Sequence, residues 1–420
     1  MPARHSSGVS AVLMVGFSAV MIEYFDHHLF QGPVLVVEEP HVIKARGLAT
    51  AADHHPSLAQ VIPGPVQSSD GKLPDAVLSQ DVGCVLPGGE YSSVAAAAYA
   101  ERLGLPGAGV RAASTMRDKA ALRAAAHGHL AQPEWATVGG ADEVAEFAAR
   151  HPDGLVLKPA NRQASLGVQL LTASDDLAQA WQHLVDADEP WLAAPGKLEP
   201  RYLVEERMRG QEYSFEALVV EGRLVFHSLT QKTTLPGRNP VEVAHLVPAP
   251  VPGDQLAAFV DANSRLVEAV GFRDGMLHSE WIWRDGRPWL VECAGRMPGD
   301  RIPDLISLAW GFDFFSSYVE VVRGSLPDGV LPIVPVGAAA IRFATRWNAA
   351  PSLEQLRQAE DGPGLVYVAS SPAPPERAST MAVTSSWGRT GYAIATGATA
   401  EEAEAAAAGA VRVLEGDEHG

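Results

Sequence analysis

Three short stretches near the start of the chain, SAVLMVG (10–16), GPVLVVEEP (32–40) and VGCVLPG (82–88), are apolar without alternation. A strand that is apolar on both faces must be covered on both, and a parallel sheet wrapped by helices is the usual way to do so. Ala-rich helical stretches fall between and after them, among them SSVAAAAYAERLGLPG (92–107), which Gly104 would close. Residues from Val9 to about Gly109 therefore predict an open parallel α/β domain.

The remainder mixes strands and helices, with hairpins dominating. STMRDKAALRAAAHGHL (114–130) predicts a helix capped by Ser114 or Thr115, and PDGLVLKPANRQASLGVQLLTA (152–173) a strand, a Gly/Ser-containing loop and a second strand. RYLVEERMRGQEYSFEALVVEGRLVFHSLT (201–230) reads as a strand, a polar crossing and a hairpin turning at Glu221-Gly222. A helix, GDQLAAFVDANSRLVEAVGF (253–272), leads into an apolar hairpin, HSEWIWRDGRPWLVECAGR (278–296). Beyond Gly324 follow a Pro-rich connection, SLPDGVLPIVP (325–335), two strands within VGAAAIRFATR and RTGYAIATG, a final helix in TAEEAEAAAAGAVRVLEG, and a tail, GDEHG, expected to be disordered.

With 420 residues the chain exceeds a single core. The expected division is an N-terminal α/β domain (1–112), a small lid subdomain (113–200), a central subdomain (201–325) and a C-terminal α+β subdomain (326–420). The formal net charge of -18, with no block of Lys or Arg, disfavours a nucleic-acid partner. Cys84 and Cys293 lack metal-type spacing and fit a reducing, cytoplasmic setting. The apolar run VSAVLMVGFSAVMIEYF (9–25) is broken by Gly16 and Ser18 and stopped by Glu23 and Asp26, short of the ~20 residues of a membrane span, and it lacks a secretory cleavage pattern. A strand leading into a helix accounts for it better.

Lysine is scarce, six against twenty-six arginines, so retained lysines point to places that need a compact charge on a flexible stem. Two of them, Lys119 and Lys158, sit in segments of chemical character. Lys158 ends GLVL, and the QASLGV turn that follows offers Ser165 and Gly167, an arrangement suited to cradling phosphate. An ordinary strand end with a plain hairpin accounts for the same residues in isolation. In LVEERMRGQE (203–212), Glu205, Glu206 and Glu212 surround a short connection where carboxylates and free backbone groups could meet an adenine edge and a ribose diol. Solvated glutamates beside a turn are the simpler account of that stretch alone.

The hairpin 278–296 poses a parity question, because strand side chains alternate between faces. A two-residue Asp285-Gly286 turn pairs Arg284 with Arg287 and sets Glu280 against Val291, leaving Glu292 on the other face. A three-residue loop pairs Arg284 with Pro288 and sets Glu280 across from Glu292. Two carboxylates ~5 Å apart repel unless a cation joins them, and such hard oxygen ligands suit Mg²⁺. Arg296, four residues on, could neutralise a transferring phosphoryl group near such a cation, or lie on a surface loop.

Taken in order, these pieces resemble the ATP-grasp superfamily, and within it carboxylate–amine ligases of the L-amino-acid (dipeptide) ligase type. The resemblance covers nearly the whole chain, by order and spacing of the motifs together. It implies two antiparallel-sheet subdomains gripping ATP behind the N-terminal domain. It also implies that Lys119 and Lys158 contact the phosphates, that Ser165, Leu166 and Gly167 form the loop over them, and that Glu205, Glu206 and Met208 belong to the adenine hinge. Glu212 becomes the ribose acid, Glu280 and Glu292 the ligands of Mg²⁺ (or Mn²⁺ in its place), and Arg296, with Lys158, a catalytic cation. That assignment requires the odd-parity loop. Ala294 stands where many ATP-grasp enzymes have Asn, a residue that ligases of the dipeptide type often lack too. NPVEVAHLVPAPV (239–251) resembles the segment lining the amino-acid pocket, which makes Glu242 and His245 candidate substrate contacts, His245 being equally readable as a structural, hydrogen-bonded histidine, and Asp300 would meet a cationic group on the substrate. The implied activity joins a small-molecule acid to an amine through an acylphosphate with release of ADP and phosphate, in the manner of peptide natural-product ligases. Activation of bicarbonate or a nucleotide precursor, and non-catalytic ATP binding, are its rivals, and a homodimer is compatible with the resemblance.

Overall fold

The computed structural model describes residues 9–27, 32–163, 165–187, 200–326, 331–346, 353–360, 362, 364–370 and 386–416. Residues 417–420 of the tail expected to be disordered, and 327–330 of the Pro-rich connection, lie outside the described residues.

The unbroken apolar runs form β1 (Ala11–Val15), β2 (Val34–Glu38) and β4 (Val82–Pro87), joined by β3 (Leu58–Pro63) in a parallel sheet of order β3-β2-β1-β4. β3 is exposed at Ala59, Gln60 and Pro63, which is why it carries no continuous apolar run. One face of the sheet, with Leu13, Val15 and Leu35, packs on Ala96 and Tyr99 of the helix Ser93–Leu103. The other, with Val12, Met14 and Val36, packs against Phe315 and Tyr318 of the helix Phe314–Val322. The run at 9–25 becomes β1 and the helix Ala19–His27, and among the described residues no single helix is long and apolar enough to cross a membrane.

A second, four-stranded antiparallel sheet contains β5 (Trp135–Val138), β6 (Leu155–Pro159), β7 (Gln169–Leu171) and β8 (Tyr202–Glu206) in the order β5-β8-β6-β7. The helices Ala141–Arg150 and Leu177–Asp186 back it through Phe147 and Leu184. This lid sheet includes β8 and so runs past residue 200.

The third sheet has eight strands: β9 (Gln211–Val220), β10 (Arg223–Thr234), β11 (Glu242–Val247), β12 (Gly275–Arg284), β13 (Arg287–Ala294), β14 (Ala338–Ala344), β15 (Leu365–Ser370) and β16 (Gly391–Gly397). Its order is β13-β12-β9-β10-β11-β14-β16-β15, antiparallel throughout. The C-terminal region, expected as a subdomain of its own, thus extends the central sheet: β14 pairs directly with β11. The molecule is a mixed α/β multidomain protein with one parallel and two antiparallel sheets.

The helix expected to start at Ser114 or Thr115 is instead two. Val110–Arg117 runs through both residues, and Asp118 ends it and caps Lys119–Ala126 by accepting from the amides of Ala120 and Ala121. Asp118 satisfies the orphan amide donors that begin a helix, so the break falls immediately before Lys119 and places that lysine at a helix start.

Candidate active site

The lid sheet and the central sheet enclose a cavity of about 380 Å³. Lys119, Lys158, Ser165, Leu166, Glu205, Glu206, Met208, Glu212, Glu242, Glu280 and Glu292 all line it. Gly167, His245, Arg296 and Asp300 do not line it. Gly210 lets the connection after β8 lie against the hairpin, since a Cβ there would stand 2.2 Å from the Trp283 carbonyl oxygen.

Glu280 and Glu292 are direct partners across β12 and β13, although the turn has even parity. Asp285 and Gly286 form a two-residue turn with φ of 52° and 74°, and Arg284 pairs with Arg287. The odd-parity loop required by the resemblance is therefore wrong. The register shifts between Glu280 and Trp281, where Val291 is the extra residue of a β-bulge. One bulged residue reverses the parity of everything beyond it, which puts both acids on one face.

Each acid carries a lysine. Lys119 Nζ lies 2.7 Å from Glu292 Oε1 and donates to the Arg162 carbonyl at 2.8 Å. Lys232 Nζ lies 2.9 Å from Glu280 Oε1 and 3.1 Å from Glu242 Oε1. Lys232, which sequence reasoning passed over, is 4% exposed. Its burial is outweighed by Glu280, Glu242 and Glu212, which raise its pKa well above the ordinary lysine value. Burial pushes Glu212 up, aided by Glu280 and Glu242 and opposed by Lys232. The scarcity of lysine was the available signal for Lys232, but its segment on β10 carries no local motif.

Behind Glu280, His278 Nδ1 lies 2.8 Å from Glu216 Oε1, Thr230 donates to Glu216 Oε2 at 2.7 Å, and His278 Nε2 stands 3.4 Å from Glu280. Burial disfavours the charged imidazole, yet Glu216 and Glu280 outweigh it and raise His278 to about 9. Glu280 itself is held well below the carboxylate range: burial would raise it, but Lys232 and His278 prevail.

Glu205, expected as a hinge contact, is buried and its carboxylate is already engaged. Arg123 donates to it through Nε and Nη2 at 2.9 and 3.0 Å, and Lys158 Nζ lies 2.7 Å away. Burial alone would raise Glu205, but the two cations hold it at about 2. Lys158 is lowered, first by burial and then by Arg123 and Lys119, against the pull of Glu205.

Asp300 is not free to meet a substrate cation. His245 Nε2 lies 2.9 Å from its Oδ2, and both terminal nitrogens of Arg389, from the C-terminal region, close on its carboxylate. These partners hold Asp300 below the ordinary carboxylate range despite burial. Arg296, outside the cavity lining, donates through Nε to Glu90 Oε2 at 2.6 Å, Glu90 following β4 of the parallel sheet. Burial works against its charge, but Glu90, Glu292 and Glu280 raise its pKa, so it lies within reach of both acids' fields. Glu90 and Arg389 come from distant parts of the chain, and no local pattern marks either.

The donor set fits Mg²⁺. Two facing carboxylates offer hard oxygen ligands, and among the described residues no three His, Cys, Asp or Glu side chains converge as a complete cage. A cation there would complete its shell with water and phosphate oxygens.

Lysines and facing carboxylates thus meet in a cavity between two antiparallel sheets, and residues 152–304 match the ATP-grasp domain family. The chain is similar to alanine–anticapsin ligase of Bacillus subtilis, 26% identical over 257 residues that make up 56% of this chain and 53% of that protein. The chain spans about half the length of the curated relatives it matches. Its fold is that of an L-amino acid ligase from Bacillus licheniformis, with a TM-score of 0.76, 16% identity and coverage of 96% and 98% of the two chains. It also resembles N5-carboxyaminoimidazole synthetase from Staphylococcus aureus complexed with ADP, with a TM-score of 0.68, 12% identity and coverage of 96% and 97%.

Proposed function

We propose that the protein is an ATP-dependent ligase that joins the carboxylate of an amino acid, or a similar acid, to an amine. The observation that carries this reading is the convergence on one cavity of Lys119 and Lys158 with the facing Glu280–Glu292 pair and, farther across the same sheet, Lys232 and Glu242. A pocket that only bound nucleotide has no need of so many charges beyond the phosphate lysines.

In the reaction, an oxygen of the acid attacks the γ-phosphorus and the bond to the β-phosphate oxygen breaks, releasing ADP. The amine nitrogen then attacks the acyl carbon, the bond to phosphate breaks, and a proton leaves the nitrogen. Lys119 and Lys158 hold the phosphates, and Arg296 offsets charge on the transferred group. The loop containing Ser165, Leu166 and Gly167 keeps water from the acylphosphate, Glu205, Glu206 and Met208 frame the adenine, and Glu212 the ribose. Mg²⁺ held by Glu280 and Glu292 would supply charge neutralisation on the phosphates. Glu242 takes the substrate ammonium, while His245 and Asp300 form a bonded pair outside the cavity lining. The similarity to ligases that act on amino acids supports this reading.

The test is release of ADP and phosphate across pairs of amino acids, with product mass determined for active pairs. The similarity in fold to carboxyaminoimidazole synthetases favours one competing reading, activation of bicarbonate. Phosphate release that depends on bicarbonate and ignores amino acids selects it.

A further inference from the structure

We propose that Arg123 is a positioning residue that aligns both halves of the site at once, an inference that rests on the ligase reading above. Lys119 and Arg123 lie four residues apart on the helix Lys119–Ala126, so they share a face. That face grips consecutive residues of β13: Lys119 Nζ meets the Glu292 carboxylate, and Arg123 Nη2 donates to the Val291 carbonyl at 2.9 Å. Val291 is the bulged residue on which the facing of Glu280 and Glu292 depends. β13 is an edge strand there, and a carbonyl unpaired in the ladder is the natural handle for fixing a bulge. The amide of the preceding Leu290 is likewise held, donating to the Ala131 carbonyl at 2.9 Å.

The same guanidinium forks onto Glu205, which holds Lys158. One side chain, 1% exposed, thereby sets the phosphate lysine on the lid sheet and the carboxylate pair on the central sheet. Its side-chain hydrogen bonds go to Glu205 and to Val291. A lysine could neutralise Glu205, but only the planar fork reaches Glu205 through two nitrogens while one of them also turns to Val291.

The test uses the full chain, ADP as nucleotide and Mn²⁺ as a paramagnetic probe, with no acid or amine present. ADP affinity is measured without metal by calorimetry, and Mn²⁺ affinity with ADP saturating by electron spin resonance. Glu205→Gln is expected to weaken the first, and Glu292→Ala the second. Arg123→Met should weaken both, by about tenfold or more each. Arg123→Lys retains a buried cation and keeps the fold testable; it should recover ADP binding but not Mn²⁺ binding. A protein with Arg123→Lys that binds Mn²⁺ like the unaltered chain, or one with Arg123→Met that keeps both affinities, overturns the proposal alone. An unaltered chain that binds no Mn²⁺ with ADP overturns the ligase reading and this proposal together.

Discussion

Glu280 and Glu292 face one another across the β12–β13 hairpin although the turn joining their strands has even parity, because Val291 bulges between Leu290 and Glu292. A pair of carboxylates so placed is a liability in the absence of a cation, and the protein answers with one lysine for each.

Replacing either acid by Ala should cut ADP release by about a thousandfold or more, several kcal/mol of activation free energy. Each variant also takes a partner from a lysine, Lys232 for Glu280 and Lys119 for Glu292, and so should lose some stability while remaining folded. Steady-state turnover at saturating ATP and Mg²⁺, alongside circular dichroism, checks this, and undiminished turnover would sink the assignment of the pair.

Lys232→Met leaves Glu280, Glu242 and Glu212 without their common counter-ion. Losing one partner of a buried ion pair costs about 3–5 kcal/mol. The variant should therefore melt well below the unaltered chain, and added Mg²⁺ should recover part of the loss by substituting for the ammonium. Thermal melts with and without Mg²⁺ read both effects.

Stability in acid should depend on Glu205. Its folded pKa of about 2 lies below the ordinary 4.5, so its contribution is full above pH 4.5 and is lost as pH falls toward 2. Denaturant titrations across that window should give a smaller slope against pH for Glu205→Gln than for the unaltered chain. Equal slopes would mean that the carboxylate is not held by Arg123 and Lys158 in solution.

Arg296→Ala should lower turnover by about a hundredfold or more while leaving ATP affinity nearly unchanged, since the guanidinium acts on charge that develops during transfer. Glu90→Gln, which loosens Arg296 from the N-terminal domain, should lower turnover less. A rise in KM for ATP with turnover intact would place Arg296 in nucleotide binding instead.

Local pattern determined a good deal of this protein. Unbroken apolar runs specify β1, β2 and β4, because a strand hidden on both faces leaves that trace; β3, exposed at Ala59, Gln60 and Pro63, leaves none. Glu221-Gly222 and Asp285-Gly286 mark their hairpins because their backbones need positive φ at two successive positions. The lysines at 119 and 158 stood out by rarity and by the segments they end or begin, and both line the cavity.

Tertiary structure alone decided the rest. A bulge is set by what grips the strand from outside, here Arg123 on Val291, so the facing of Glu280 and Glu292 could not follow from the turn sequence. Lys232, Glu90 and Arg389 act through partners 10 to 206 residues away, between Glu242 and Lys232 at one extreme and Arg296 and Glu90 at the other, and no local motif records such meetings. Periodicity in a sequence reports which face of an element is buried; which charge waits on the facing element is set only when the sheets close on one another.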